Sequence, residues 1–274
     1  MRLTVRIVRA ILDAVDSRGG ALRHLPAPAN DPLAEPELDL GGARAIVDAG
    51  DWWTEYEPIV ELRSMKVTGY EALARFRTAQ GRTVNTASMF GVLHGDRALL
   101  IRAELALKEH QVAHAPRAEL FVNLDPDSWD REVDGCHNPL LALLCGLRRR
   151  VVVEVIENMD AADAILARDL VATLKSRGLP VALDDVGATN GLLSFEALDE
   201  AEVLKFDRSL LRRLGGSGRR RALLEALVTM ARRTGVRTVL EGVETSRDLA
   251  LARELGVDLV QGYLFRERSL RALR

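Results

Sequence analysis

The chain has 274 residues, 47% of them hydrophobic and 28% charged, and a formal net charge of −2. That length suits two small domains or one large α/β barrel and excludes a mini-fold held by staples. The apolar content excludes a disordered chain, the balanced charge supplies no basic excess for DNA or RNA polymers, and 4% aromatic residues leave little for stacking single strands.

Residues 1–18 place Leu3, Ile7, Ile11 and Val15 at helical spacing. Gly19-Gly20 ends that pattern, and Pro26, Pro28, Pro32 and Pro36 mark an extended arm. Arginines interrupt the N-terminal apolar residues, which argues against a secretory signal, and no apolar run approaches the roughly 20 residues that span a bilayer. The two cysteines, Cys136 and Cys145, lack CxxC or His-rich spacing and read as thiols in a reducing compartment. The expectation is a cytoplasmic protein with no membrane contact.

Two units are predicted, an N-terminal helix and Pro-rich arm over 1–50 and a regular body over 51–274. Strand patterns follow at 56–62, 67–75, 119–124, 150–157, 179–185, 202–207, 236–241 and 257–264. Helical patterns occupy about 97–114, 160–176, 208–234 and 245–255, the last opened by the N-cap candidate Thr245. Alternating β and α patterns call for a parallel sheet covered on both faces. Eight strands call for its closed form, a (β/α)8 TIM-like barrel, with an open doubly wound sheet as the alternative. Residues 63–66 are too few for a helical crossover, so the first two strands form a hairpin and one barrel strand runs antiparallel.

In such a barrel the chemistry sits at the C-terminal ends of the strands. Those positions hold Glu71, Asn123, Glu154, Asp184-Asp185, Lys205, Glu241 and Gln261. Each acidic residue alone reads as a cap or turn. Together they make a negative cluster that calls for cations, and carboxylates with an amide oxygen suit Mg²⁺ or Mn²⁺. Asp184-Asp185 suits a two-metal centre if the strand gives way at Asp184, since consecutive strand residues face opposite sides. None of the five histidines ends a strand pattern. Only four of the 38 basic residues are lysines, and Lys205 lies within an apolar strand pattern. It suits either a place beside a metal-bound water or phosphate, or a simple pair with Asp207.

Tyr70-Glu71-Ala72-Leu73-Ala74-Arg75, Phe121-Val122-Asn123-Leu124, Glu154-Val155-Ile156-Glu157, Leu183-Asp184-Asp185-Val186-Gly187, Leu204-Lys205-Phe206-Asp207, Leu240-Glu241-Gly242-Val243-Glu244 and Gln261-Gly262-Tyr263-Leu264-Phe265 occur in that order. With them the chain, over about residues 52–270, resembles the EAL-domain family of cyclic di-GMP phosphodiesterases. The resemblance implies a barrel that linearises cyclic di-GMP to pGpG with two Mg²⁺ or Mn²⁺ ions. It implies Glu71, Asn123, Glu154 and Asp184 as ligands of one metal, with Asp184 and Asp185 bridging to the second. Lys205 would hold or deprotonate the attacking water, Glu241 would serve the second metal or its water, and Gln261 would lie nearby. Arg75 would contact the dinucleotide, and Glu157 would support the loop after Asp185.

The family also implies a homodimer. Glu57 stands where the family usually has Gln beside the ligand, Ile156 where it has Thr, and Arg268 where a Pro often follows. The segment Val186-Gly187-Ala188-Thr189-Asn190-Gly191-Leu192 departs from the family's loop. A weakly catalytic cyclic di-GMP receptor and a protein-interaction module are therefore the alternatives to an enzyme. A glycoside-hydrolysing barrel is disfavoured by Lys205, Asn123 and the paired aspartates. The N-terminal helix suits packing on the barrel, pairing with a second subunit or docking a protein partner.

Overall fold

The computed structural model describes residues 23–24, 38–129, 138–146, 151–156, 161–188, 194–214 and 218–274. The predicted helix at 1–18, most of the proline-rich arm, Cys136 and Glu157 lie outside these residues.

Strands β1 (Trp52–Glu61) and β2 (Val67–Arg77) form the expected hairpin, pairing Glu57 with Glu71 and Trp53 with Arg75. Next to β2 come β3 (Glu119–Asn123), β4 (Val151–Ile156), β5 (Val181–Val186), β6 (Val203–Phe206), β7 (Arg237–Leu240) and β8 (Leu259–Val260), each parallel to its predecessor. Strand β8 pairs antiparallel with the C-terminal end of β1, which closes an eight-stranded barrel with β1 reversed. A further strand, β9 (Leu270–Leu273), lies antiparallel along Trp53–Tyr56 and carries the two residues Arg23–His24 on its outer edge.

Local chemistry explains where the elements differ from the sequence patterns. Helix α1 (Leu40–Ala49) begins before residue 51, capped by the Asp39 side chain, which accepts from the Gly42 amide at 2.8 Å. It buries Ala43, Ile46 and Val47 with Trp52 and Phe76, and its two glycines, Gly41 and Gly42, obscure it in the sequence. Short helices at Thr86–Leu93, Pro139–Cys145 and Phe195–Glu200 were also not predicted. The long pattern at 208–234 is two helices, Arg208–Leu214 and Gly218–Thr234, with the poor helix formers Gly215 and Gly216 between them. Thr245 caps the helix Ser246–Leu255 through a reciprocal pair of bonds with Asp248. The last predicted strand shrinks to two residues because the chain turns away at Gly262. There φ is +147°, and an added Cβ would lie 2.4 Å from the Val243 nitrogen. A 3₁₀ helix, Tyr263–Arg268, follows.

The barrel interior is layered with the two-residue period of a strand. Ile59, Phe121, Val152, Ala182, Val203, Val239 and Leu259 form a buried apolar layer, one residue from each of seven strands. On the eighth strand the corresponding residue is Gly69, opposite Ile59, where an added Cβ would sit 3.1 Å from the Phe121 ring. Phe121 therefore fills the space of two side chains. Two residues nearer the open end, the same eight strands present Glu57, Glu71, Asn123, Glu154, Asp184, Lys205, Glu241 and Gln261. Among the described residues no helix is long and apolar enough to cross a membrane. Cys145 is an exposed thiol.

Candidate metal centre

Six of these eight polar side chains lie in the last three residues of a parallel strand or just past its end, and Glu71 sits within the longer β2. Glu57 reaches the same level because β1 runs the other way. Asp184 and Asp185 both belong here. The β5–β6 register slips between Leu183 and Val186, and Asp185 takes φ +55°, a left-handed conformation rare for a residue with a side chain. The break the sequence required is thus a bulge within the strand.

Lys205 lies at the centre and is fully buried. Its Nζ is 2.7 Å from Glu154 Oε1, 2.8 Å from Glu241 Oε1, 3.0 Å from Asp184 Oδ1 and 3.3 Å from Glu71 Oε2. Its partners are these four carboxylates, and the simple pair with Asp207 is not formed. Asp207 instead accepts from the Ser209 amide. Asn123 donates to Glu71 Oε1 at 2.9 Å and Gln261 donates to Glu71 Oε2 at 2.6 Å, so two amides fix the orientation of that carboxylate.

Burial pushes the pKa values of Glu71, Glu154, Glu241 and Asp185 upward, and the balance with neighbours then separates them. For Glu71 the Lys205 charge and the Gln261 and Asn123 donors outweigh burial, and its pKa falls below the usual value. For Glu154, burial and repulsion from Glu71 win over Lys205 and the pKa rises well above it. Burial lifts Glu241 to about 8 against the pull of Lys205, with Asp184 and Glu71 adding to the rise. Burial, Asp184 and Asp207 lift Asp185 to about 6. Burial opposes the Lys205 charge, but the surrounding carboxylates raise its pKa well above the ordinary range. Without further cations, burial and the crowding of carboxylates therefore favour the protonated forms of Glu154 and Glu241.

The donor set fits hard divalent cations. Glu71, Glu154 and Asp184 bring one oxygen each within 4.8 Å of one another, and so do Asp184, Asp185 and Glu241, with Asp184 common to both groups. Both Glu154 oxygens and Gln261 Oε1 are buried without a hydrogen-bond donor, although Lys205 Nζ is near Glu154 Oε1. Orphaned buried oxygens of this kind call for a ligand. Oxygen-only donors match Mg²⁺, Mn²⁺ or Ca²⁺ rather than a thiolate- or imidazole-preferring metal.

Above the layer opens a cavity of about 590 Å³, lined among others by Glu57, Glu71, Asp184, Asp185, Glu241 and Gln261. Asn123, Glu154 and Lys205 lie beneath its floor. Arg75 stands behind the wall, donating to Glu55 at 2.9 Å, to the Ala74 carbonyl at 3.1 Å and to Glu57 at 3.3 Å. Burial and Glu71 raise the pKa of Glu57 against the pull of Arg75. The sequence patterns missed Glu55 and Arg271 in the same wall. Glu55 was accessible as the polar residue two before Glu57, whereas Arg271 belongs to a strand too short to carry a pattern.

A sequence profile of the EAL domain family matches residues 43–268. The probable cyclic di-GMP phosphodiesterase PdeN of Escherichia coli K12 is 26% identical over 220 residues, covering 77% of this chain and 42% of that protein. The cyclic di-GMP phosphodiesterase NbdA of Pseudomonas aeruginosa is 31% identical over 224 residues, covering 77% of this chain and 28% of that protein. The chain thus spans less than half the length of either relative. Klebsiella pneumoniae BlrP1, solved with calcium and cyclic di-GMP, superimposes with a TM-score of 0.58 at 24% identity, covering 82% of this chain and 61% of that one. This likeness shows the shared barrel.

Proposed function

The chain belongs to the EAL domain family, and from that premise we propose that it is a metal-dependent phosphodiesterase that opens cyclic di-GMP to linear pGpG. The observation that carries this reading is the pair of carboxylate groups sharing Asp184 around a buried lysine. Glu71, Asn123, Glu154 and Asp184 would hold one Mg²⁺ or Mn²⁺ ion, and Asp184, Asp185 and Glu241 the second. Two such ions supply a hydroxide nucleophile at neutral pH and neutralise charge on the phosphoryl oxygens.

The chain's own groups do the rest. Lys205 carries three N–H donors on a side chain that cannot leave the centre. It would hold the attacking water or a phosphoryl oxygen with whichever donors its carboxylates release. Glu241, beside the second ion or its water, would accept a proton from that water through its free carboxylate oxygen. Gln261 and Asn123 keep Glu71 oriented, and Glu57 and Arg75 would shape the wall against which the dinucleotide lies. In the overall change, a bond forms from the water oxygen to phosphorus as one ester P–O bond breaks, and the departing ribose oxygen takes a proton. The same reading includes a homodimer, a cytoplasmic setting, an arm over residues 1–50 that offers a contact for a protein partner, and Glu157 as a support for the segment after Asp185.

The test is incubation of purified protein with cyclic di-GMP and Mg²⁺ or Mn²⁺, with linear product followed by chromatography and Glu71→Ala and Lys205→Ala as controls. Turnover by the native chain and its loss in both variants is the expected result. Binding without turnover would make the protein a cyclic di-GMP receptor, a reading favoured by the extra carboxylate of Glu57 opposite Glu71. Neither binding nor turnover would leave an interaction module.

A further inference from the structure

The wall of the cavity holds a second arginine that lies beyond the residues matched by the family profile. Arg271 belongs to β9, where it faces Glu55 across the strand pair, and its side chain lines the same cavity as Asp184, Asp185 and Glu241. Two contacts fix it. Its Nη2 donates to Glu55 Oε1 at 2.7 Å, and its guanidinium carbon lies 5.3 Å from the centre of the Trp53 ring. Glu55 is itself held by Arg75 on its other oxygen and by the Trp53 indole N–H at 3.2 Å.

The two arginines that share Glu55 differ in what they have left to offer. Arg75 has a partner at each of its three nitrogens and stands behind the cavity lining. Arg271 has a bond to Nη2 alone, and its Nε is buried with no acceptor. The donor left for a ligand is Nη1, which carries no bond, on a residue that lines the cavity. Arg266, also at the rim, is folded onto the exposed Tyr263, 3.0 Å from its hydroxyl and 5.2 Å from the ring centre.

A cyclic dinucleotide carries two phosphodiester anions. If the one to be cleaved sits over the carboxylate layer, the other lies out along the wall. Building on the phosphodiesterase reading, we propose that Arg271 is a substrate-binding residue that takes the second, uncleaved phosphodiester of the cyclic dinucleotide. A guanidinium offers donors in a planar fork that fits two phosphate oxygens at once. Because Glu55 and Trp53 already hold that fork in place, little side-chain freedom is lost on binding.

The test compares native protein, Arg271→Ala and Arg271→Lys. Cyclic di-GMP affinity is measured by calorimetry with Ca²⁺, and KM and kcat are measured with Mn²⁺. Arg271→Ala should weaken binding and raise KM about tenfold, as expected for a hydrogen bond between charged groups, with kcat changed by less than about twofold. Arg271→Lys should recover part of the affinity, because the charge returns without the fork. Should removal of the side chain disturb β9, the lysine variant, with its melting temperature as the check on folding, still reports the loss of the fork. Native protein that binds the nucleotide while folded Arg271→Ala and Arg271→Lys bind it equally well overturns the assignment and leaves the phosphodiesterase reading standing. Native protein that neither binds nor cleaves overturns both.

Discussion

Two layers of one barrel, separated by two residues along each strand, have opposite characters. The lower layer is apolar and fully or nearly buried, and Gly69 leaves room for Phe121 to complete it. The upper layer sets five carboxylates, two amides and one lysine at a distance of roughly 6.6 Å along the strands. The lower layer removes hydrocarbon from water and stabilises the fold. The upper layer gathers like charges in a poorly solvated place, and it opposes folding until cations join it. Strand periodicity lets one set of strands serve both purposes without the layers mixing.

Glu154→Gln separates the two layers most sharply. This change keeps the shape and removes a carboxylate placed to hold a metal ion, so turnover should fall on the order of 10³-fold. The melting temperature of the metal-free protein should not fall. A cooperative loss of stability would mean that the upper layer supports the fold after all.

Next in size is a contrast in unfolding free energy between Phe121→Ala and Lys205→Met. The first should cost about 3–5 kcal/mol with or without divalent metal, because a cavity stays a cavity. The second should cost a similar 3–5 kcal/mol in metal-free protein, where four carboxylates lose their counter-charge. Mn²⁺ should restore much of the loss in the lysine variant alone. Denaturant unfolding with and without Mn²⁺ reads both, and equal rescue of the two variants would erase the distinction.

The smallest effect is a pH dependence. Glu241 rises from 4.5 to about 8 and Asp185 from 3.8 to about 6 on folding. A carboxyl raised in this way contributes stability that is fully present below its ordinary pKa and is lost as pH climbs through the folded value. Metal-free protein should therefore melt at progressively lower temperature from pH 4.5 to about 8. Metal binding must displace the retained protons, so the increase in melting temperature produced by Mn²⁺ should grow over the same interval. Scanning calorimetry across that range provides the check, and a metal effect independent of pH would place the protons elsewhere.

Much of the upper layer was legible because most of its residues stand at or near the close of short apolar runs, whereas Glu71 lies within the 11-residue β2. An apolar run closed by Glu154 or by Lys205-Phe206-Asp207 is a signal that survives uncertainty of a residue or two in strand limits. The hairpin was legible from the length of one connection. What escaped notice depends on contacts between distant parts of the chain. Helix α1 packs through only three buried residues, and two glycines weaken its pattern. The bulge at Asp185 is a tertiary accommodation to β6. Arg75 carries the charge expected of a ligand contact, but Glu55 and Glu57 had to be seen in register before its commitment to the wall was evident. Glu157 lies outside the described residues, so its expected role stays with the proposal.

The reversed direction of β1 also orders events in time. The hairpin joins residues that are close in sequence, as when Glu57 meets Glu71, and can form early with little loop closure. The opposite edge of β1 is covered only when β8 and β9 arrive, and the bond from Arg271 to Glu55 spans 216 residues. Until then an unpaired strand edge is open to another chain. Closure of the barrel and completion of the Glu55–Arg271 wall thus both wait on the last strands of the chain. A chain halted before those strands arrive would expose its edge and lack the Arg271 side of its wall, which links the risk of misassembly to the loss of ligand binding.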